Sequence, residues 1–284
     1  MGLVILAALF GASIFLLFRL LDARNVELLP AIAVNYLMAF ILGTAHTPVW
    51  RSNGIEDLWW PSLFVGLLFI GVFLLTGLSS QRAGVAVSTV ASKLSLILTV
   101  VFAVLVHGED PGLLGWAGIC IALIAVVTSV GNDAGIRSKS DRLLPVLLFF
   151  GTAAIDISLN AVQRAYLTSG TEAVFPTLCF IPAGAIAFLI VALRGRNEAL
   201  LSARTWGWGT VLGVLNFVSL LFVVRALARS GMPATRVFPL ISIGVILFGT
   251  AGTIVLFKKR LRSRQIVGIG LSVISLVLLI LADR

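Results

Sequence analysis

The chain has 284 residues, of which 59% are hydrophobic and 12% are charged. A soluble domain carries about 25% charged residues, so this composition excludes a water-soluble fold and leaves no stretch for a second, soluble domain. The formal net charge is +9. The bases sit in short loops between apolar segments, such as Arg194 with Arg196 and the run Lys258, Lys259, Arg260, Arg262, Arg264. Juxtamembrane bases of this kind meet anionic lipid headgroups and set orientation, which excludes nucleic acid as a partner.

A bilayer crossing needs roughly 20 apolar residues. By that measure the pattern predicts ten helical spans, at 2–20, 29–46, 59–79, 84–106, 112–131, 143–165, 172–193, 206–227, 232–257 and 265–282. The fold class expected is an all-α polytopic membrane protein. The first span lacks a basic segment before Leu3, so it reads as retained and not as a cleaved signal. Trp50, Trp59 and Trp60 flank the third span, and Trp206 and Trp208 open the eighth, where aromatic rings favour the membrane–water interface. Cys120 and Cys179 lie inside apolar segments and read as small buried hydrophobes. His46 and His107 are far apart, and no cluster has metal-ligand spacing. No metal, cofactor or catalytic group is expected.

The ten spans form one five-span pattern written twice, residues 1–131 and 142–284, separated by the polar run Gly131 to Arg142. Gly84 and Gly231 are 147 positions apart (231 − 84), and Arg82 and Arg229 keep that offset. Gly118 and Gly268 are 150 apart (268 − 118). Five spans is an odd number, so the second repeat must enter the membrane from the opposite side, giving inverted repeats with a binding site between them. Small residues at helical spacing, Gly209 with Gly213, Gly115 with Gly118, and Gly244 with Gly249 and Gly252, let helix backbones approach closely.

Orientation follows from Lys and Arg in the loops. The loops after the odd-numbered spans hold fourteen and the other side holds six, with Lys93 inside a span. The charge rule therefore places both termini outside the cytoplasm.

Ionisable groups within a span face the bundle interior and are functional candidates by default. Lys93 lies mid-way along the fourth span and Asp156 mid-way along the sixth. Thr152, Asp156, Asn160 and Gln163 are spaced 4, 4 and 3 and fall within roughly 80° of one helix face. Such a stripe points inward, because lipid cannot satisfy its hydrogen bonds. It reads either as a wall for substrate or proton, or as a structural network, an Asp156–Lys93 ion pair included. Ser88, Ser92, Ser95 and Thr99 cluster within about 60° on the fourth span. The ninth span echoes them with Thr235, Pro239 and Ser242, where Pro239 opens a carbonyl near mid-helix. Serine and threonine also bond back to their own helix carbonyls. Asn35 with Tyr36 in the second span, and Asn216 with Ser219 in the eighth, complete the inward polar set. The substrate-binding candidates are Lys93, Asp156, Asn160, Gln163, Asn35, Tyr36, Ser92, Ser95 and Asn216.

The segments "ASKLSLILTVVFAVLVHGED" and "VLNFVSLLFVVRAL", and the loops "VHGEDPGLLGWAG" and "FKKRLRSRQIVG" before each half's last span, carry a resemblance. The chain resembles the EamA branch of the drug/metabolite transporter superfamily. The family's Gly-Glu step stands here as Gly108–Glu109, and the second half departs from it with Lys258–Lys259. The resemblance implies a ten-helix, inverted-repeat carrier in the cell membrane. It implies transport of a small metabolite by alternating access, coupled to a proton or another solute, by a monomer or homodimer. It also implies both termini inside the cytoplasm, opposite to the charge rule. The small multidrug-resistance relatives use a glutamate in their first helix; this chain has no acidic residue in the core of its first span, which makes Asp156 the candidate if a proton site exists. Two other classes compete: a non-transporting scaffold or lipid scramblase, and an integral-membrane enzyme. The enzyme would show a His, Asp or Glu cluster near one face, and Glu109–Asp110 is a lone acidic pair.

Overall fold

The computed structural model describes residues 2–49, 55–107, 112–130, 139–166, 174–229, 234–259 and 261–282. Trp50, the Gly108–Glu109 step, Gly131 to Arg137 and Gly231 lie outside them, as do the side chains of Asn160, Gln163 and Thr235. Helix is the dominant form among the described residues, with no strand. The helices are α1 Gly2–Ala23, α2 Leu28–His46, α3 Trp59–Arg82, α4 Val85–Leu94, α5 Leu96–His107, α6 Gly112–Val130, α7 Lys139–Tyr166, α8 Phe175–Leu193, α9 Asn197–Leu201, α10 Ala203–Arg229, α11 Ala234–Phe257 and α12 Ser263–Ala282, with a 3₁₀ turn at Glu56–Leu58. Helix is the expected form, because within lipid every backbone N–H and C=O must be bonded inside its own segment. Among the described residues eight helices are long and apolar enough to cross a membrane, and two shorter apolar stretches run over Val85–Thr99 and Gly112–Ala125. The protein is a multi-pass membrane protein.

Turns between helices use positive φ. Gly84, between α3 and α4, has φ 102°, a region closed to residues with a side chain. Gly195, with φ 65°, ends α8, and the next N–H, Arg196, bonds the Val191 carbonyl at 3.1 Å. That six-to-one bond satisfies a carbonyl left open at the helix end.

Two compact units make up the chain. The first comprises Met1–Arg19, Leu75–Ala153 and Ser219–Arg284. In it α6 packs along α12, and α4 packs on α11. Its core holds Val90, Leu94 and Ile97, Ile119 and Ala122, Phe149, Ile246 and Leu276. Ser275 Oγ donates to the Gly118 carbonyl at 2.8 Å, which ties α12 to α6. Gly244 of α11 leaves room for Ala8 of α1, whose Cβ would lie 2.5 Å from a Cβ added there. The second unit comprises Leu20–Leu74 and Ala154–Val218. There α2 packs on α8, beside a core of Leu58, Val65, Val162, Phe175, Leu178 and Cys179.

Three expectations change. The fourth span is not one continuous helix: it stops at Leu94 and resumes at Leu96. Leu98 N–H turns to the Ser95 carbonyl at 2.9 Å, a three-residue step, while Ser95 Oγ takes the Ser92 carbonyl at 2.6 Å. Pro239 lies in the second turn of α11 and not near mid-helix, and the helix runs unbroken past it. Cys179 is buried as expected, but Cys120 is exposed on α6, where an apolar thiol can face lipid.

Candidate substrate-binding residues

In the second unit the site builds from a close helix approach. A Cβ on Gly209 would meet Val34 Cβ at 2.6 Å and the Ala31 carbonyl at 2.9 Å. A Cβ on Gly213 would meet the Asn35 carbonyl and Met38 Cβ, both at 2.7 Å. The two glycines are one turn apart on α10, so α2 lies directly against their backbone. One turn further, Asn216 reaches Asn35, with the two amides 3.3 Å apart. In the amide orientation that satisfies Asn35, its nitrogen donates to the Leu212 carbonyl at 3.3 Å and its oxygen accepts from the Tyr36 N–H at 3.2 Å. Asn35 is fully buried and Asn216 half-buried.

Tyr36 is 1% exposed. Its ring sits 5.5 Å from Phe73 and 6.0 Å from Phe180, and Phe180 is 6.2 Å from Phe69. Gly184 of α8 would bring a Cβ to 3.3 Å from Tyr36 Cβ, so a side chain there would press on the ring. The Tyr36 hydroxyl is buried and has no hydrogen-bond partner among the described residues. Buried polar atoms without a partner are rare, and this one lies inside an aromatic cluster.

In the first unit the polar stripe of the fourth span divides into separate roles. Ser88 Oγ donates to the Gly84 carbonyl at 2.8 Å and so accepts from Ser79 Oγ at 2.6 Å. It closes the tight turn between α3 and α4. Ser95 bonds its own helix and marks the break. Ser92 is buried, and Thr152 Oγ1 of α7 lies 3.5 Å from its hydroxyl, at the edge of hydrogen-bond range. Thr152 also donates to the Leu148 carbonyl at 2.8 Å. The stripes predicted on the fourth and sixth spans thus meet at Ser92 and Thr152. Thr99 Oγ1 is buried without a partner among the described residues. Lys93 is half-buried at the penultimate position of α4, two residues before the break. Asp156 is half-buried on α7, one turn beyond Thr152, in the second unit.

The structure brings together Asn35, Tyr36 and Asn216, and Ser92 with Thr152. The aromatic partners of Tyr36 and the role of Ser79 are absent from the sequence reading. Phe69 and Phe73 are four apart and share one face of α3, but phenylalanines in an apolar run do not show what they face. Among the described residues no three His, Cys, Asp or Glu side chains approach as metal ligands would.

Residues 1–131 match the EamA-like transporter family. The chain is 28% identical to an uncharacterized protein of Haemophilus influenzae, over 99% of its own length and 98% of that protein's. A solved crystal structure superposes with a TM-score of 0.63 over 98% of both chains at 18% identity, which shows a shared fold.

Proposed function

We propose that this chain is an EamA-type secondary active transporter of a small metabolite in the cell membrane, and not an enzyme. It works by alternating access, with ten transmembrane helices arranged as two inverted five-helix repeats, 1–131 and 142–284. The observation that carries the reading is how the helices pair. In the first unit α6 packs along α12 and α4 packs on α11; in the second α2 packs on α8. Each pair joins a helix to its own counterpart in the other sequence half. Their first residues are 151, 149 and 147 positions apart (263 − 112, 234 − 85, 175 − 28). A two-fold axis in the membrane plane produces self-counterpart packing of this kind, and inverted repeats of that symmetry are the architecture of carriers.

Two further features support a binding role. The interruption at Ser95 falls beside Ser92 and Lys93, and broken helices in carriers expose backbone groups to substrate and coupling ions. The Tyr36 hydroxyl, buried without a partner among the described residues, is a group that a bound solute or water would satisfy. The substrate-contacting set is Lys93, Asp156, Asn160, Gln163, Asn35, Tyr36, Ser92, Ser95 and Asn216, with Asp156 carrying the coupling proton. The test is uptake and efflux by purified protein in liposomes, screened across amino acids, purines, sugars and cationic drugs, with and without a proton gradient. Saturable, protein-dependent flux of one class supports the proposal. Absence of flux, together with rapid flipping of a labelled lipid in the same vesicles, replaces the carrier with a scramblase.

A further inference from the structure

Contacts within the first unit gather its bases at one end. Arg19 donates to the Gln81 carbonyl, and Gln81 Nε2 donates to the Phe18 carbonyl at 3.2 Å. Arg82 Nη1 lies 3.5 Å from Asp141 Oδ1. A Cβ at Gly84 would lie 3.7 Å from Lys259 Nζ. These contacts bring α1 near residue 19, the end of α3, the start of α4, the start of α7 and the end of α11 to a single end. Helix α12 begins at Ser263, four residues after Lys259, so Arg262 and Arg264 lie there too. Arg82, Arg142, Lys258, Lys259, Arg262 and Arg264 are all exposed, and Asp141 already faces Arg82. The opposite end holds Arg229 and Arg236, because α11 starts at Ala234 and its 24 residues rise about 36 Å. Unlike loop counting, this placement does not depend on how many spans precede each base.

We infer that this end is a surface for the phosphodiester headgroups of anionic phospholipids, that it therefore lies at the cytoplasmic leaflet, and that the outer ends of α1 and α12, Gly2 and Ala282, lie on the opposite side of the membrane. Val255, Leu256, Ile266 and Val267, 52–71% exposed, sit within about a turn of these bases on α11 and α12. An apolar band under a basic rim matches a lipid, acyl chains below and phosphate above, whereas a free phosphate or nucleotide would leave the apolar band unused. Anionic lipid is concentrated in the cytoplasmic leaflet and attracts clusters of four to eight bases. The orientation is the reverse of the one the family resemblance implies. It rests on membrane placement alone and stands whether or not the chain transports anything.

Two measurements test it on the full-length protein. C-terminal fusions to alkaline phosphatase, active only outside the cytoplasm, and to green fluorescent protein, fluorescent only inside, report the side of Ala282. The expected result is active phosphatase and a dark fluorescent fusion; the reverse overturns the inference. Native mass spectrometry of protein released from vesicles of equal phosphatidylglycerol and phosphatidylcholine reports headgroup choice. Wild type should retain phosphatidylglycerol in excess, and Lys258→Gln with Lys259→Gln, Arg262→Gln and Arg264→Gln should lose that excess. Arg229→Gln with Arg236→Gln, at the other end, should keep it. Equal retention of both lipids by wild type, or displacement of the lipid by inorganic phosphate, overturns the lipid assignment.

Discussion

A carboxamide inside a membrane helix is costly unless another polar group meets it. Asn35 and Asn216 answer one another at 3.3 Å, with the Leu212 carbonyl and Tyr36 N–H completing the set. Asn216→Leu strands one face of a fully buried amide and should cost about 1–3 kcal/mol, read as a lower midpoint of thermal unfolding in detergent. Replacing both residues by leucine should recover much of that loss, because no polar group is left unmet. If the amides also bind substrate, the double variant remains inactive in transport despite its recovered stability. Asp156→Asn keeps the shape and removes the titratable group. It should abolish accumulation against a gradient while keeping downhill exchange, and wild-type accumulation in this variant would remove Asp156 from the coupling role. Asn35, Asn216 and Asp156 stand out in the sequence because they are polar among apolar neighbours, and of these the structure brings Asn35 and Asn216 together. The aromatic wall around Tyr36 was not, because phenylalanine in an apolar helix carries no mark of what it faces.

At the scale of helices, close approach decides which side chains can meet. Gly213 lies against backbone of α2 as well as the Met38 side chain, so a methyl group there cannot be absorbed by a rotamer change. Gly213→Ala should push α2 from α10, cost about 1–3 kcal/mol and weaken the Asn35–Asn216 contact one turn away. The check is a stability measurement paired with the Asn216 variant: coupled, non-additive losses are expected, and additive ones would separate the two features. Gly71 and Gly207, which have open space around them, should accept alanine with no loss. Helix positions were readable from apolar run lengths and loop punctuation. The break at Ser95 was not. Serine and threonine at helical spacing fit an unbroken helix equally well, and the Leu98 N–H bond to the Ser95 carbonyl shows where the ladder shifts.

At the scale of the whole molecule, the proposed two-repeat architecture is supported by three helix pairs, α6 with α12, α4 with α11 and α2 with α8. The family match reaches only residue 131, so the second repeat rests on those offsets and pairings. The charge count and the family expectation place the termini on opposite sides of the membrane, and the contacts of Arg19, Arg82 and Lys259 gather the bases of the first unit at one end. Substrate identity was not legible, since no side chain among the candidates is specific for one chemical group. Alternating access makes one demand that pores and scaffolds do not: the site must return across the membrane before it can load again, and a solute on the far side speeds that return. Counterflow measures it directly. Vesicles holding purified protein and a high internal concentration of the unlabelled solute are diluted into trace labelled solute. The account predicts a transient overshoot of label above its equilibrium level, absent from vesicles without internal solute. Label entry that is unsaturable and indifferent to internal solute would contradict it.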